Sequence, residues 1–152
     1  MLVDTGASLV ALTDADARAM AVYLQALPQH SPPTPTASTP GLVALERGGK
    51  VYEQQCAQCH GEQGQGKPGA FPALAGNRAV TMPNVANLVH IVLEGGFAPA
   101  TEGNPRPYGM PPFATVLSTE ETAQLLSFVR GSWGNRGAAV STLEVERFRS
   151  AK

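Results

Sequence analysis

Cys56-Ala57-Gln58-Cys59-His60 decides the fold, because both cysteines of the chain lie inside it. The residues match the Cys-x-x-Cys-His signature of c-type haem attachment. Two thiols three residues apart on a helical turn can add across the two vinyl groups of one porphyrin, and His60 then lies beneath the iron as its proximal ligand. Two rival chemistries use similar residues. A thioredoxin-like pair expects a preceding strand in an α/β pattern, whereas the residues before Cys56 read as helix. A structural zinc site needs four ligands, and His30 and His90 are the only other histidines.

Working outward, the spacing of Leu45, Tyr52 and Cys56 predicts a helix from Leu42 to Gln55. Its Gly48-Gly49 pair costs helix stability, which points to another helix packed closely there. Residues 61–83 read as loop, punctuated by glycine and proline. Asn84 can cap a helix whose stripe is Val85, Leu88, Val89, Val92 and Leu93, ended by Gly95 and Gly96. A second Gly/Pro-rich loop runs from Phe97 to Phe113. Ser118-Thr119-Glu120-Glu121 is a complete capping box for a helix that buries Leu125, Phe128 and Val129 and ends at Gly131. No structure is assigned from Ser132 onward. Upstream, Thr13 caps a helix that Pro28 stops, followed by a Pro/Ser/Thr-rich linker over residues 29–41. The pattern is all-α.

A haem iron needs a second axial ligand or an open site. Met110 is the candidate, because two prolines stiffen the loop Arg106-Pro107-Tyr108-Gly109-Met110-Pro111-Pro112-Phe113 and lower the entropy of holding a weak thioether ligand. Met82 reads as core filler, and Met1 and Met20 precede the linker. His90 reads as a surface or satisfied histidine, His30 as a linker residue, and Trp133 as packed by its indole ring. Leu74, Val85, Leu88, Val89, Leu93, Phe113 and Leu125 are candidate pocket walls. Arg78 and Arg106 are candidates for neutralising haem propionates, although either arginine is more often simply solvated.

Composition narrows the class. The 152 residues carry a net charge of −1, with scattered basic residues and neither a nucleic-acid footprint nor an acidic tail. Charged residues are 15% of the chain, while Gly (16) and Pro (13) are abundant, as in a loop-rich domain ordered around something non-protein. No apolar run is long enough for a transmembrane segment, and no signal peptide is visible at the N-terminus.

The sequence also repeats. Residues from Leu12, LTDADARAMAVYLQAL, align with residues from Leu117, LSTEETAQLLSFVRGS, at an offset of 105 positions. Thr13 meets Ser118, Asp16 meets Glu121 and Tyr23 meets Phe128. Residues 1–28 are therefore expected to be the closing helix of a preceding, similar domain. Residues 29–41 are then the linker, 42–131 the main domain and 132–152 a C-terminal tail.

The order helix, CAQCH, Gly-rich loop, Pro72-x-Leu74-x-Gly76, helix, Met loop and closing helix resembles the class I cytochrome c fold. The resemblance implies one covalent haem c, held by Cys56, Cys59 and His60 with Met110 as sixth ligand. It places Gly48 and Tyr52 where the first helix packs on the last. It also makes the Pro72 carbonyl the acceptor for the imidazole N–H, with Arg78 near the haem.

More narrowly, GxxxYEQQCAQCHGEQGQGKPGAFPALAGNRAV, NLVHIVLEGG, MPPF and FVRGSWGN are similar to the last domain of the three-haem subunits of bacterial membrane-bound alcohol, aldehyde and gluconate dehydrogenases. That resemblance implies an electron-transfer protein rather than an enzyme. A quinoprotein or flavoprotein dehydrogenase would be its donor, and another cytochrome or membrane quinone its acceptor. The implied setting is the periplasm, peripheral to the inner membrane. Those subunits carry three CxxCH motifs, and this chain carries one. The alternative function is a haem enzyme or gas sensor with an open or labile sixth site.

Overall fold

The computed structural model describes residues 13–28, 40–98, 100 and 105–149. The expectations for Met1, His30 and most of the linker lie outside them. The chain divides into two units, Met1–Pro33 and Thr34–Lys152.

In the first unit, α1 spans Asp14–Ala26. Thr13 and Asp16 form a reciprocal capping box: the Thr13 hydroxyl accepts from the Asp16 N–H at 3.2 Å, and the Asp16 carboxylate accepts from the Thr13 N–H at 3.1 Å. Hydrogen bonds from Thr13 hold the Asp16 carboxyl below its ordinary range. Met20, Tyr23 and Leu24 are 52%, 66% and 58% exposed.

The second unit contains α2 (Leu42–Gln55), α3 (Ala57–His60), α4 (Arg78–Thr81), α5 (Ala86–Glu94), β1 (Gly96–Phe97), β2 (Gly109–Met110), α6 (Thr119–Gly131) and α7 (Thr142–Arg149). The fold is mostly helical, with one small two-stranded sheet. Its centre is the crossing of α2 and α6. A methyl group added at Gly48 would collide with the Gln124 carbonyl and the Phe128 Cβ, so the glycine sets how closely the two helices approach. Tyr52 extends this contact, with its ring centroid 5.6 Å from Phe128 and 4.8 Å from Trp133. The core continues through Val89, Val92 and Leu93 of α5 and Leu125, Leu126 and Val129 of α6.

Capping follows the sequence with two adjustments. Ser118 and Glu121 make the full box at the start of α6. Helix α5 starts two residues after Asn84, which still accepts the Ala86 N–H at 2.9 Å. Within the stretch read as loop, Asn77 accepts the Ala79 N–H at 2.9 Å and caps the single turn of α4. The loop composition concealed a turn that only one cap stabilises.

Residues 133–149 pack against the rest of this unit. Trp133 has φ of +53°, in the left-handed region that non-glycine residues rarely occupy. The turn it makes with Gly134 reverses the chain after α6 and lays the indole on Phe128, centroids 5.3 Å apart. Arg130, 1% exposed, donates to the carbonyls of Ala138 (2.7 Å), Val80 (2.7 Å) and Met82 (2.9 Å). Burial lowers its pKa. The buried Val140 and Val145 then extend the core, and Ser141 with Glu144 caps α7.

Candidate haem-binding site

Helix α2 runs almost directly into the short α3, so the CxxCH residues lie on one turn at the rim of a cavity. His60 N–H to Cys56 O (2.9 Å) closes that turn. Gly61, with φ of +79°, ends it. Its carbonyl accepts the Tyr52 hydroxyl at 2.5 Å, tying the turn back to α2.

The cavity measures about 440 Å³, within the usual span for small-molecule and cofactor sites. Cys56, Cys59, His60, Pro72 and Met110 all line it. Apolar side chains supply most of the remaining wall, among them Phe71, Ile91, Phe97, Tyr108 and Phe113. Phe71 and Tyr108 meet in a tilted contact on one side, ring centroids 5.0 Å apart.

His60 Nδ1 lies 2.9 Å from the Pro72 carbonyl oxygen. A carbonyl can only accept, so Nδ1 carries the proton and Nε2 keeps its lone pair free for a metal. Met110 is placed by backbone bonding. Strand β2 pairs antiparallel with β1, Gly96 opposite Met110 and Phe97 opposite Gly109. The Phe113 and Ala114 N–H groups donate to the Val92 and Leu93 carbonyls, both at 3.0 Å. A side chain at Gly95 would strike the Met110 carbonyl, so the glycine permits this close approach.

The Cys56 thiol does not resemble that of an activated dithiol. Cys56 and Cys59 are both free, and burial, with a smaller contribution from Cys59, pushes the Cys56 thiol up to about 11. A redox pair of the thioredoxin type works with a lowered thiol pKa. No cluster of three or more His, Cys, Asp or Glu suited to a metal ion forms among the described residues, which leaves a zinc site without its ligand set. The donors present fit a porphyrin: two thiols at one edge, an oriented imidazole, a thioether in the same cavity, and apolar walls.

Other candidates fall elsewhere. Arg78 and Arg106 are exposed and do not line the cavity. Met82 is 43% exposed rather than core filler, and its carbonyl serves Arg130. His90 is exposed and meets the Phe148 ring edge at 5.2 Å. Of the expected pocket walls only Phe113 lines the cavity. Val85, Val89, Leu93 and Leu125 are buried in the core, with Leu74 and Leu88 packed on it. The stripe of α5 faces the helices, and Ile91, off that stripe, faces the cavity.

A family model described as Cytochrome c matches residues 45–133. The chain belongs to the cytochrome c family. As a cytochrome c it is an electron-transfer protein, and its domain implies covalent haem c. It is similar to the alcohol dehydrogenase (quinone) cytochrome c subunit of Gluconacetobacter polyoxogenes, 33% identical over 147 residues, covering 90% of this chain and 31% of that one. Similarity to the gluconate 2-dehydrogenase cytochrome c subunit of Pantoea cypripedii is 33% over 144 residues, 89% of this chain and 33% of that one. Cytochrome c-552 of Thermus thermophilus is 37% identical over 97 residues, 61% of this chain and 64% of its own. This cytochrome c spans about a third of the length of the dehydrogenase subunits it matches. No helix among the described residues is long and apolar enough to cross a membrane.

Proposed function

We propose that this chain is a single-electron carrier holding one haem c, with Cys56 and Cys59 as thioether attachments and His60 and Met110 as axial ligands. The observation that carries the reading is the His60–Pro72 bond, which turns Nε2 away from a carbonyl acceptor and leaves it available in the cavity that Met110 also lines. When bound, the haem supplies an iron that alternates between two oxidation states.

The chain's own residues do the rest. Pro72 fixes the imidazole ring and raises its basicity. Met110, as a thioether donor, favours the reduced state and raises the potential. Phe71, Ile91 and Phe113 exclude water, which acts in the same direction.

The similarity to dehydrogenase cytochrome subunits supports a donor of that class, a quinoprotein or flavoprotein dehydrogenase. Another cytochrome or membrane quinone would be the acceptor, and the periplasmic face of the inner membrane the location. Within this proposal residues 1–28 are the closing helix of a preceding cytochrome c-like domain, 29–41 a linker, 42–131 the haem domain and 132–152 its C-terminal tail. The matching caps of α1 and α6, and the exposed apolar side chains of α1, support that division.

The test is spectroscopic. Oxidised haem-loaded protein is expected to show the weak far-red sulfur-to-iron band, and Met110→Ala to abolish it. A parent protein that lacks the band and binds carbon monoxide readily when reduced would instead be a sensor or enzyme with an open sixth site.

A further inference from the structure

The family model ends at residue 133, yet the segment after it bonds both the loop whose Pro72 orients His60 and the turn that follows Met110. Asn135, 7% exposed, donates to the Leu74 carbonyl at 3.1 Å and the Val129 carbonyl at 2.8 Å, while its side-chain oxygen accepts the Gly76 N–H at 2.9 Å. Leu74 and Gly76 lie two and four residues after Pro72, the residue that orients His60.

At the other end of the segment, Arg149 reaches from α7 to the turn that follows Met110. It donates to the Ala114 carbonyl at 2.8 Å, the Leu117 carbonyl at 2.5 Å and the Thr122 hydroxyl at 3.3 Å. Its Nε is buried with no partner among the described residues, so the guanidinium is held by what its two Nη atoms bond. Helix α7 is itself well anchored, with Val145 fully buried.

A thioether binds iron weakly, so its occupancy depends on how little entropy the loop loses in placing it. Between Met110 and the Arg149 anchor lie Pro111, Pro112 and the buried Phe113. Prolines fix φ and make that connection stiff. A constraint on Ala114 and Leu117 therefore reaches Met110.

We propose that Arg149 is a positioning residue for the sixth ligand, and that α7 is a strap holding the Met110 loop closed. The inference rests on the reading of Met110 as ligand. It goes beyond that reading by assigning the hold to a segment outside the family domain.

The experiment uses full-length, haem-loaded protein and three variants. Arg149→Met keeps the apolar stem and removes the donors. Arg149→Lys keeps charge but cannot fork between two carbonyls. Gly48→Ala crowds the α2–α6 crossing, away from α7, and leaves the Arg149 hydrogen bonds. Each is examined well below its own unfolding midpoint, reading the far-red band and carbon monoxide binding after reduction.

The band is expected to weaken in the order parent, Arg149→Lys, Arg149→Met. Carbon monoxide affinity should rise about tenfold or more in Arg149→Met, the scale set by losing hydrogen bonds from a charged donor. Gly48→Ala should lower the midpoint and keep the band. An unchanged band in folded Arg149→Met overturns the inference alone. So does equal loss of the band in Gly48→Ala, which would make the effect general destabilisation. A parent protein without the band removes the Met110 reading itself, and the strap with it.

Discussion

Gly48 lies so close to the carbonyl oxygen of Gln124 that no side chain fits between α2 and α6. Gly48→Ala therefore sets about 1 kcal/mol of gained helix propensity against an overpacking cost of about 1–3 kcal/mol. The obstruction is backbone, which cannot swing aside, so the cost wins. The variant should be less stable by about 1–2 kcal/mol in denaturant unfolding. Gly49→Ala is the control: its methyl meets only the Phe128 ring edge at 3.2 Å, so its stability should stay near that of the parent.

Arg130 serves three carbonyls from two different parts of the unit, the end of α4 and the segment after α6. Arg130→Met keeps much of the volume and strands those carbonyls in the interior, where each unsatisfied polar group costs about 1–3 kcal/mol. A loss of about 3 kcal/mol or more is expected from chemical denaturation. A loss below about 1 kcal/mol would show that water replaces the guanidinium.

Tyr52 gives the haem-bearing turn a pH limit. Burial pushes its hydroxyl from 10.0 up to about 12. A group whose pKa is raised in the folded state contributes stability that is complete below the unfolded value and lost as pH rises through the folded one. Thermal stability should therefore fall between about pH 10 and 12. Tyr52→Phe should flatten that fall, and also cost about 0.5–1.5 kcal/mol at neutral pH through its lost bond to Gly61. An identical alkaline profile in Tyr52→Phe would assign the transition to another group.

Cys59 is exposed and Cys56 half-buried, so the two attachments differ in their dependence on the fold. Cys59→Ala should yield protein with haem held through Cys56 alone, visible as a pyridine haemochrome shifted toward that of a single saturated vinyl. The polypeptide should fold, because the Cys59 side chain is no part of the hydrophobic core. Recovery of the parent spectrum would contradict attachment through Cys59.

Much of the haem domain was legible because local signals coincide there. CAQCH, the Gly48-Gly49 pair and the Ser118 capping box each determine local geometry with side chains close in sequence. Met110 was legible as a residue, but its support was not: the pairing of Gly96 with Met110 is a backbone contact between two glycine-rich loops. The segment after Ser132 was opaque for a related reason. Its order depends on Arg130, Asn135 and Arg149 bonding carbonyls far away in sequence, and an arginine in a helix reads as surface. The pocket walls were misassigned because α5 is apolar on two sides, and periodicity reports only the stronger one.

The β1–β2 pairing has an evolutionary consequence. It brings Phe97 and Gly109 together at the base of their loop, so the chain between them is a closed excursion whose ends no longer depend on its length. Doubling such a loop adds only about 0.6 kcal/mol of closure entropy. Its composition and length can therefore diverge while the backbone at Met110 stays in register with Gly96. The length of this loop and the backbone placement of Met110 are thereby separable traits, open to independent change in one small domain.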